Sequence, residues 1–268
     1  MRATAVIAVN VFRESVRDKV LYNLLLFAIL LIGASYVLGQ LTAGQDVKII
    51  KDLGLAATSI FGLFIAVFIG IGLVSKEVER RSIYALLAKP IHRYQLVVGK
   101  YCGLVLTLVV NVSVMAGALY LVLAYLQWGV PADVRRTWDA PAVDPALLKA
   151  VLLILVELMI VTAIALFFST FSTPILSAAL TFGFYVAGHF SGDLRNFQEI
   201  VDSRGAAALA RAVYWVLPNL AQFDVKSEVV HGRPIVFGYL GLTTAYGVVY
   251  IAMLLLVSAV IFSRRDFK

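Results

Sequence analysis

Residues 76–100 read KEVERRSIYALLAKPIHRYQLVVGK and lie between two long apolar runs. Eight of these positions are Lys, Arg or Glu (Lys76, Glu77, Glu79, Arg80, Arg81, Lys89, Arg93 and Lys100), a ninth is His92, and the apolar run IYALLA sits in their midst. Charge is costly inside lipid, so the stretch reads as a loop joining two membrane spans. Its first half, KEVERR, suits a helix leaving the headgroups. IYALLA is apolar nearly all round, and Pro90 breaks the helix before the chain re-enters the bilayer. Apolar side chains displayed on such a loop need a cover. Two are open: the headgroup layer, or a partner's groove, which a helix with charges flanking an apolar anchor fits.

The rest of the chain agrees with a membrane setting. Of 268 residues, 61% are hydrophobic and 15% charged, with a mean hydropathy of +0.91. A soluble domain carries about a quarter charged residues. Runs of the spanning length, about 20 residues, fall at 21–40, 54–75, 97–127, 146–169, 174–191 and 239–262. The expected fold is therefore all-α and polytopic, with six transmembrane helices in a single domain over residues 1–268. The stretch LARAVYWVLPNLAQF, 209–223, is too short to span and is interrupted by Pro218, so it reads as a re-entrant or interfacial segment before the last span. In residues 1–20, Val9, Phe12, Val16 and Val20 recur at helical spacing while Asn10, Arg13, Glu14 and Arg17 face elsewhere. That pattern suits a helix lying among the headgroups, with a frayed tail as the alternative. The first apolar run, from Leu21 to about Leu38, is longer than a signal-peptide core and lacks an A-x-A-like exit, so it reads as a retained span.

Charge placement sets the orientation. With six spans both termini share one side with the 76–100 loop, and that side holds thirteen basic against five acidic residues, a net of +8. The opposite side carries ten of each, and Glu157 within a span brings the total to the formal +7. Both termini are thus expected in the cytoplasm. The basicity reports topology and contact with anionic lipid, not nucleic-acid binding.

The run SKEVERRSIYALLAKPIHRYQLVVGK, 75–100, resembles the cytoplasmic segment of ABC-2 type transporter permeases. Its elements are the Glu-Arg-rich turn Glu79, Arg80, Arg81, the leucine-rich helix with Leu86 and Leu87, then Pro90, then Gly99 and Lys100 opening the next span. The likeness extends over the whole chain: a basic interfacial helix, six spans, short cytoplasmic turns and a broken hydrophobic segment before the last span. LPNLAQFDVKSEVVHG, Leu217 to Gly232, also resembles the outer segment in the branch that includes the nitrous-oxide-reductase maturation permease. The resemblance implies a non-catalytic permease of the bacterial inner membrane, an exporter working as a homodimer or half of a heterodimer. It implies cytoplasmic ABC ATPase subunits that use ATP and Mg and grip Glu79, Arg80, Arg81, Ile83, Leu86, Leu87, Pro90 and Arg93, with a smaller contact at Thr170 to Thr173. The sequence fits that division, because it contains no GxxxxGK followed by Ser or Thr to cradle nucleotide phosphates.

Inside the spans, Gly54, Thr58, Gly62, Ala66 and Gly70 recur at every fourth position. Such a stripe admits a close neighbouring helix, either within the chain or in a second copy. Gly99 and Gly103 make a similar but isolated pair. Thr173 and Pro174 cap the fifth run, along which Ser177, Thr181, Tyr185 and His189 form one polar line. The line can bond a neighbouring helix or face a substrate path. Glu157, in LLILVELMIV, is an acid near the bilayer midplane and is expected to face the bundle, with Asn111 as a structural partner or else a proton or substrate role. The lone Cys102 reads as a small buried hydrophobe.

Catalytic signals are thin. His92 and His231 fall on opposite sides, and neither HExxH nor GxSxG occurs. The outer loop 192–238 has no metal-ligand spacing and reads as a cap, and one cysteine with scattered Met115, Met159 and Met253 gives no ladder for soft metals. Two rivals remain: a lipid-modifying enzyme with Glu157 and a histidine as acid and base, and a proton-coupled secondary transporter working through Glu157. Inverted repeats would favour the latter, and none is evident.

Overall fold

The computed structural model describes residues 2–42, 45–79, 93–191 and 216–264. Helices dominate because backbone polar groups at membrane depth have no water to bond and must pair within their own segment. The order is α1 (Arg2–Val16), α2 (Lys19–Gln40), α3 (Asp46–Glu79), α4 (Arg93–Gly129), the short α5 (Ala132–Arg135), α6 (Ala146–Ser169), α7 (Pro174–His189), a 3-10 turn (Leu220–Phe223), α8 (Lys226–Val230) and α9 (Phe237–Arg264). No strand occurs among the described residues. Asp18 starts α2 by accepting a hydrogen bond from the Val20 amide at 3.0 Å, a side-chain cap for one of the helix's open donors.

Five helices are long and apolar enough to cross a membrane: Lys19–Gln40, Asp46–Gly72, Tyr94–Gly129, Ala146–Ser169 and Phe237–Ser263. The fold is the all-α polytopic bundle expected, with one difference. The crossing expected at 174–191 is the 16-residue α7, which rises only about 24 Å against a hydrocarbon core of about 30 Å. At its end the chain is close-packed: a Cβ on Gly188 would lie 2.9 Å from the Pro218 carbonyl oxygen and from Leu220 Cγ. The Pro218 segment packs against the end of α7, and residues 209–215 of the expected segment lie outside the described residues.

Helix α6 is the axis of the bundle, with 72% of its apolar window buried against 22% for α2 and 28% for α9. It is apolar all round because it has protein on every side. The small-residue stripe of α3 lies inside this core. A Cβ on Gly54 would fall on Leu119 of α4, on Gly62 on Leu158 of α6, and on Gly70 at 2.8 Å from the Ala165 Cβ of α6. Thr58 and Ala66 between them are fully buried, and the Thr58 hydroxyl donates to the Gly54 carbonyl at 2.8 Å. Of the two alternatives for the stripe, the structure realises the seam within the chain.

Helix α1 packs on α4 through Gly99 and Gly103, where an added Cβ would meet Ile7, Val11 and the carbonyls of Thr4 and Ala8 at 2.6–3.0 Å. Its buried face is Ile7, Val11 and Ser15, whereas Val9 and Val20 of the expected stripe are exposed. The face that meets protein is thus distinct from the stripe Val9, Phe12, Val16 and Val20. Cys102, expected to be buried, is exposed on α4. The correction for Cys102 has a simple cause: in a membrane an apolar side chain is as well placed toward lipid as toward protein.

The end of the bundle opposite the termini is closed by polar ties. Fully buried Lys51 donates from Nζ to the Pro141 carbonyl at 2.9 Å and lies 3.8 Å from Asp144 Oδ2. Lys149 Nζ donates to the Ile235 carbonyl at 2.8 Å, and the Tyr120 hydroxyl to the Asp144 carbonyl at 2.9 Å. Lys48 pairs with Asp139 at 2.5 Å, and that hydrogen bond and charge hold the Asp139 carboxyl below its usual range. Gly232 turns there with φ +69°, a left-handed conformation that glycine adopts without strain.

Two outcomes test this packing. Gly103→Leu is expected to destabilise the protein by ~1–3 kcal/mol through overpacking, read as a lower thermal midpoint in detergent. Gly117→Ala, with nothing within 4 Å of the added Cβ, does not lower the midpoint and, through helix propensity, raises it slightly. Lys51→Ala is expected to accelerate amide exchange across residues 131–145, because the Pro141 carbonyl loses its donor. Equal exchange in mutant and wild type would show the tie to be dispensable.

Candidate functional site

The polar line on α7 is assembled by its helix period and ends on Glu157. Ser177 and Thr181 are buried. Ser177 Oγ lies 2.6 Å from Ser172 Oγ, and Thr181 Oγ1 donates to the Ser177 carbonyl at 2.7 Å. One turn further the Tyr185 and His189 rings lie with centroids 4.5 Å apart, and Nε2 of His189 stands 3.3 Å from Oε1 of Glu157. Glu157 is 2% exposed. The contact is within ion-pair range but off hydrogen-bond alignment, so Oε1 has no hydrogen-bond partner among the described residues.

The histidine's other nitrogen restricts the chemistry. Nδ1 lies 3.1 Å from the Tyr185 carbonyl oxygen, and a carbonyl only accepts, so Nδ1 carries a hydrogen. A neutral ring in that tautomer presents a bare lone pair at Nε2 toward the carboxyl group. A proton between Glu157 and Nε2, held as a carboxylic acid facing imidazole or as a carboxylate facing imidazolium, would satisfy both groups. A bare carboxylate against a bare nitrogen at this depth leaves a buried charge uncompensated.

The segment after α7 supplies the remaining charges. Lys226 and Asp224 pair at 3.6 Å, and both act electrostatically on Glu157. On α9, a Cβ on Gly247 would lie 2.7 Å from Val156 Cγ1 and 3.3 Å from Phe223, so the 3-10 turn is wedged between α6 and α9. Asn111 is not the partner of the acid: its Nδ2 donates to the Thr107 carbonyl at 2.7 Å within its own helix, and its Oδ1 has no partner among the described residues. Sequence reasoning placed His189 on the right line but matched Glu157 to the wrong helix. It also left Lys226 and Asp224 in the outer loop. The signal available was that the i, i+4 line and the acid are both polar insertions in otherwise apolar runs.

At the terminal end, α3 and α4 have 34 and 37 residues, about 51 and 55 Å, well beyond the hydrocarbon core. Gly70 sits level with Ala165, near the end of α6, so the last turns of α3 project past it. Glu79 ends α3 and Arg93 begins α4. Arg80, Arg81, Ile83, Leu86, Leu87 and Pro90 lie outside the described residues. The turn at 170–173 is at the same end. Thr170 Oγ1 donates to the Phe167 carbonyl at 2.7 Å, and Phe171 is exposed.

No curated protein matches the chain. The family model for the ABC-2 family transporter protein matches residues 5–195, which takes in α1 to α7 and the whole connection between α3 and α4. The segment Leu217 to Gly232 lies beyond those residues. Together with a multi-pass helical bundle, that match shows that the chain belongs to the ABC-2 transporter family, as a permease subunit of an ABC transporter.

Proposed function

We propose that this permease is an exporter of the bacterial inner membrane, with both termini in the cytoplasm, driven by separate ATPase subunits that use ATP and Mg. The observation that carries the reading is the pair of overlong helices α3 and α4, joined by a charged connection inside the family match. Nucleotide-driven closure of the ATPases pushes on Glu79, Arg80, Arg81, Ile83, Leu86, Leu87, Pro90 and Arg93, with 170–173 as a second contact. A helix transmits an axial displacement along its length. Because α3 is seated on α6 through Gly62 and Gly70, the push reaches the axis of the bundle. The basic side and its net of +8 support the orientation, and the absence of a P-loop in the sequence supports an ATPase on another polypeptide. The exposed faces of α2 and α9 leave room for a second permease copy or lipid.

A second reading, proton-coupled transport by the lone chain, is favoured by the 3.3 Å approach of Glu157 and His189, two groups that can exchange a proton. The first reading treats the same pair as a cross-link between α6 and α7. The two separate in a membrane vesicle, where the proton-coupled protein takes up or releases substrate on a pH gradient alone and the permease does not.

The double variant Arg80→Glu, Arg81→Glu is expected to lose most of its co-purifying ATPase while keeping its elution profile in detergent. Undiminished co-purification moves the contact elsewhere. Glu157→Gln is expected to retain assembly and ATP-driven transport, since the amide N–H bonds His189 Nε2 in place of a proton between the two groups. His189→Leu, which removes the ring nitrogen 3.3 Å from the buried acid, is expected to cost about 1–3 kcal/mol of stability, read as a lower thermal midpoint. Loss of transport in a well-folded Glu157→Gln protein would hand the case to proton coupling.

A further inference from the structure

Helix α2 is fastened unevenly along its length. Toward the end far from the termini Ala28, Ile32 and Ser35 are fully buried, and a Cβ on Gly39 would lie 3.0 Å from Ile50 Cγ1 and 3.2 Å from the Asp46 carbonyl oxygen. Only residues 41–45 separate α2 from α3 there, so the far end is held by the chain as well as by packing. The terminal end differs. Of residues 19–27 only Leu21 is buried, and a groove of about 240 Å³ parts Val20 and Leu24 from Ile65, Phe68 and Gly72 of α3. A Cβ on Gly72 would meet nothing within 4 Å. Sealed helix seams leave few voids larger than a water molecule, so this seam is closed at one end and open at the other. Val20 and Phe68 are both exposed, which opens the groove to lipid.

The terminal end of α2 is attached instead to α1. The two helices are separated by Arg17 and Asp18. Asp18 is extended, with φ −76° and ψ 122°, and the Arg17 and Asp18 amides donate back to the Glu14 and Ser15 carbonyls at 3.1 and 3.0 Å. A short joint at an element terminus is where a hinge absorbs its change of angle. α1 in turn sits on α4 without slack: a Cβ on Gly103 would lie 2.6 Å from the Ala8 carbonyl oxygen, and one on Gly99 3.0 Å from that of Thr4. Surfaces packed so closely move together. A shift of the terminal end of α4 therefore carries α1 with it, and α1 draws the base of α2 while Gly39 stays on Ile50.

We propose that α2 is a strap hinged at its far end, whose base swings across the groove and closes Val20 and Leu24 onto Ile65, Phe68 and Gly72 when α4 shifts against α3. Closing exchanges lipid chains in the groove for helix contact. Lipid is as apolar as these side chains, so the open and closed forms are near in free energy and a modest force moves the balance between them. The ATPase reading supplies the force that shifts α4, and the strap's part in transport rests on that reading; the swing itself belongs to the chain alone.

The test uses the full chain without ATPase in phosphatidylcholine nanodiscs, carrying Cys102→Ser with the pair Val20→Cys and Phe68→Cys. A disulfide needs Cα atoms within about 7 Å, so the rate of oxidation by copper phenanthroline counts visits to the closed form. The pair is expected to cross-link. Gly72→Leu, which fills the groove, is expected to slow that cross-linking about fivefold or more by overpacking the closed form, whereas Gly72→Ala, too small to fill it, does not. A second pair, Gly39→Cys with Ile50→Cys at the fastened end, cross-links equally with and without Gly72→Leu and reports an intact fold. No cross-link between positions 20 and 68 while 39 and 50 join, or an undiminished rate in Gly72→Leu, overturns the proposal. Neither result touches the ATPase contact, which is judged by co-purification.

Discussion

Helices in lipid gain nothing by hiding apolar side chains from water, so association has to come from close contact and dispersion. In this permease the contact everything else depends on is α3 against α6, made possible by Gly62 and Gly70, whose missing side chains leave room for Leu158 and Ala165. With α3 seated there, α6 is enclosed by α3, α4, α7 and α9 and buried over most of its length. An acid on such a helix has nowhere to point but into protein. The burial of Glu157 follows from the position of α6 and not from a special local device.

The second organising fact is that one crossing is incomplete. α7 is shorter than the hydrocarbon core, and Pro218, Leu220 and Phe223 pack at its far end and against α6 and α9. This brings loop chemistry against the helices: the Lys226 and Asp224 pair and the Asn219 amide stand beside α6, α7 and α9, where a continuous helix would have presented only side chains of its own. Irregular backbone at such depth is tolerated where protein covers it, and here α6, α7 and α9 are the cover.

The bundle was legible in the sequence where length decides, and not where direction decides. Runs such as 146–169 and 239–262 announce spans by length and composition alone, and the observed helices Ala146–Ser169 and Phe237–Arg264 agree with them. Apolar periodicity did not reveal which face of α1 meets protein, since Val9 and Ile7 are equally content in lipid. The small residues opposite, Gly99 and Gly103, held that information. The partner of Glu157 was hidden for a different reason: α7 ends with Gly188 packed against Leu220, a contact between distant residues that no local pattern encodes. The residues expected to couple to the ATPase stand in the family match, and their reading rests on it.

Cys102 is the chain's sole thiol, and it is exposed on α4 beside the Gly103 seat of α1. This chain thus carries one spectroscopic attachment point, set on one of the two helices that flank the charged connection. A spin label there reads a single inter-subunit distance in any symmetric pair of chains, with no engineered cysteine and no need to assign which of several labels gave the signal.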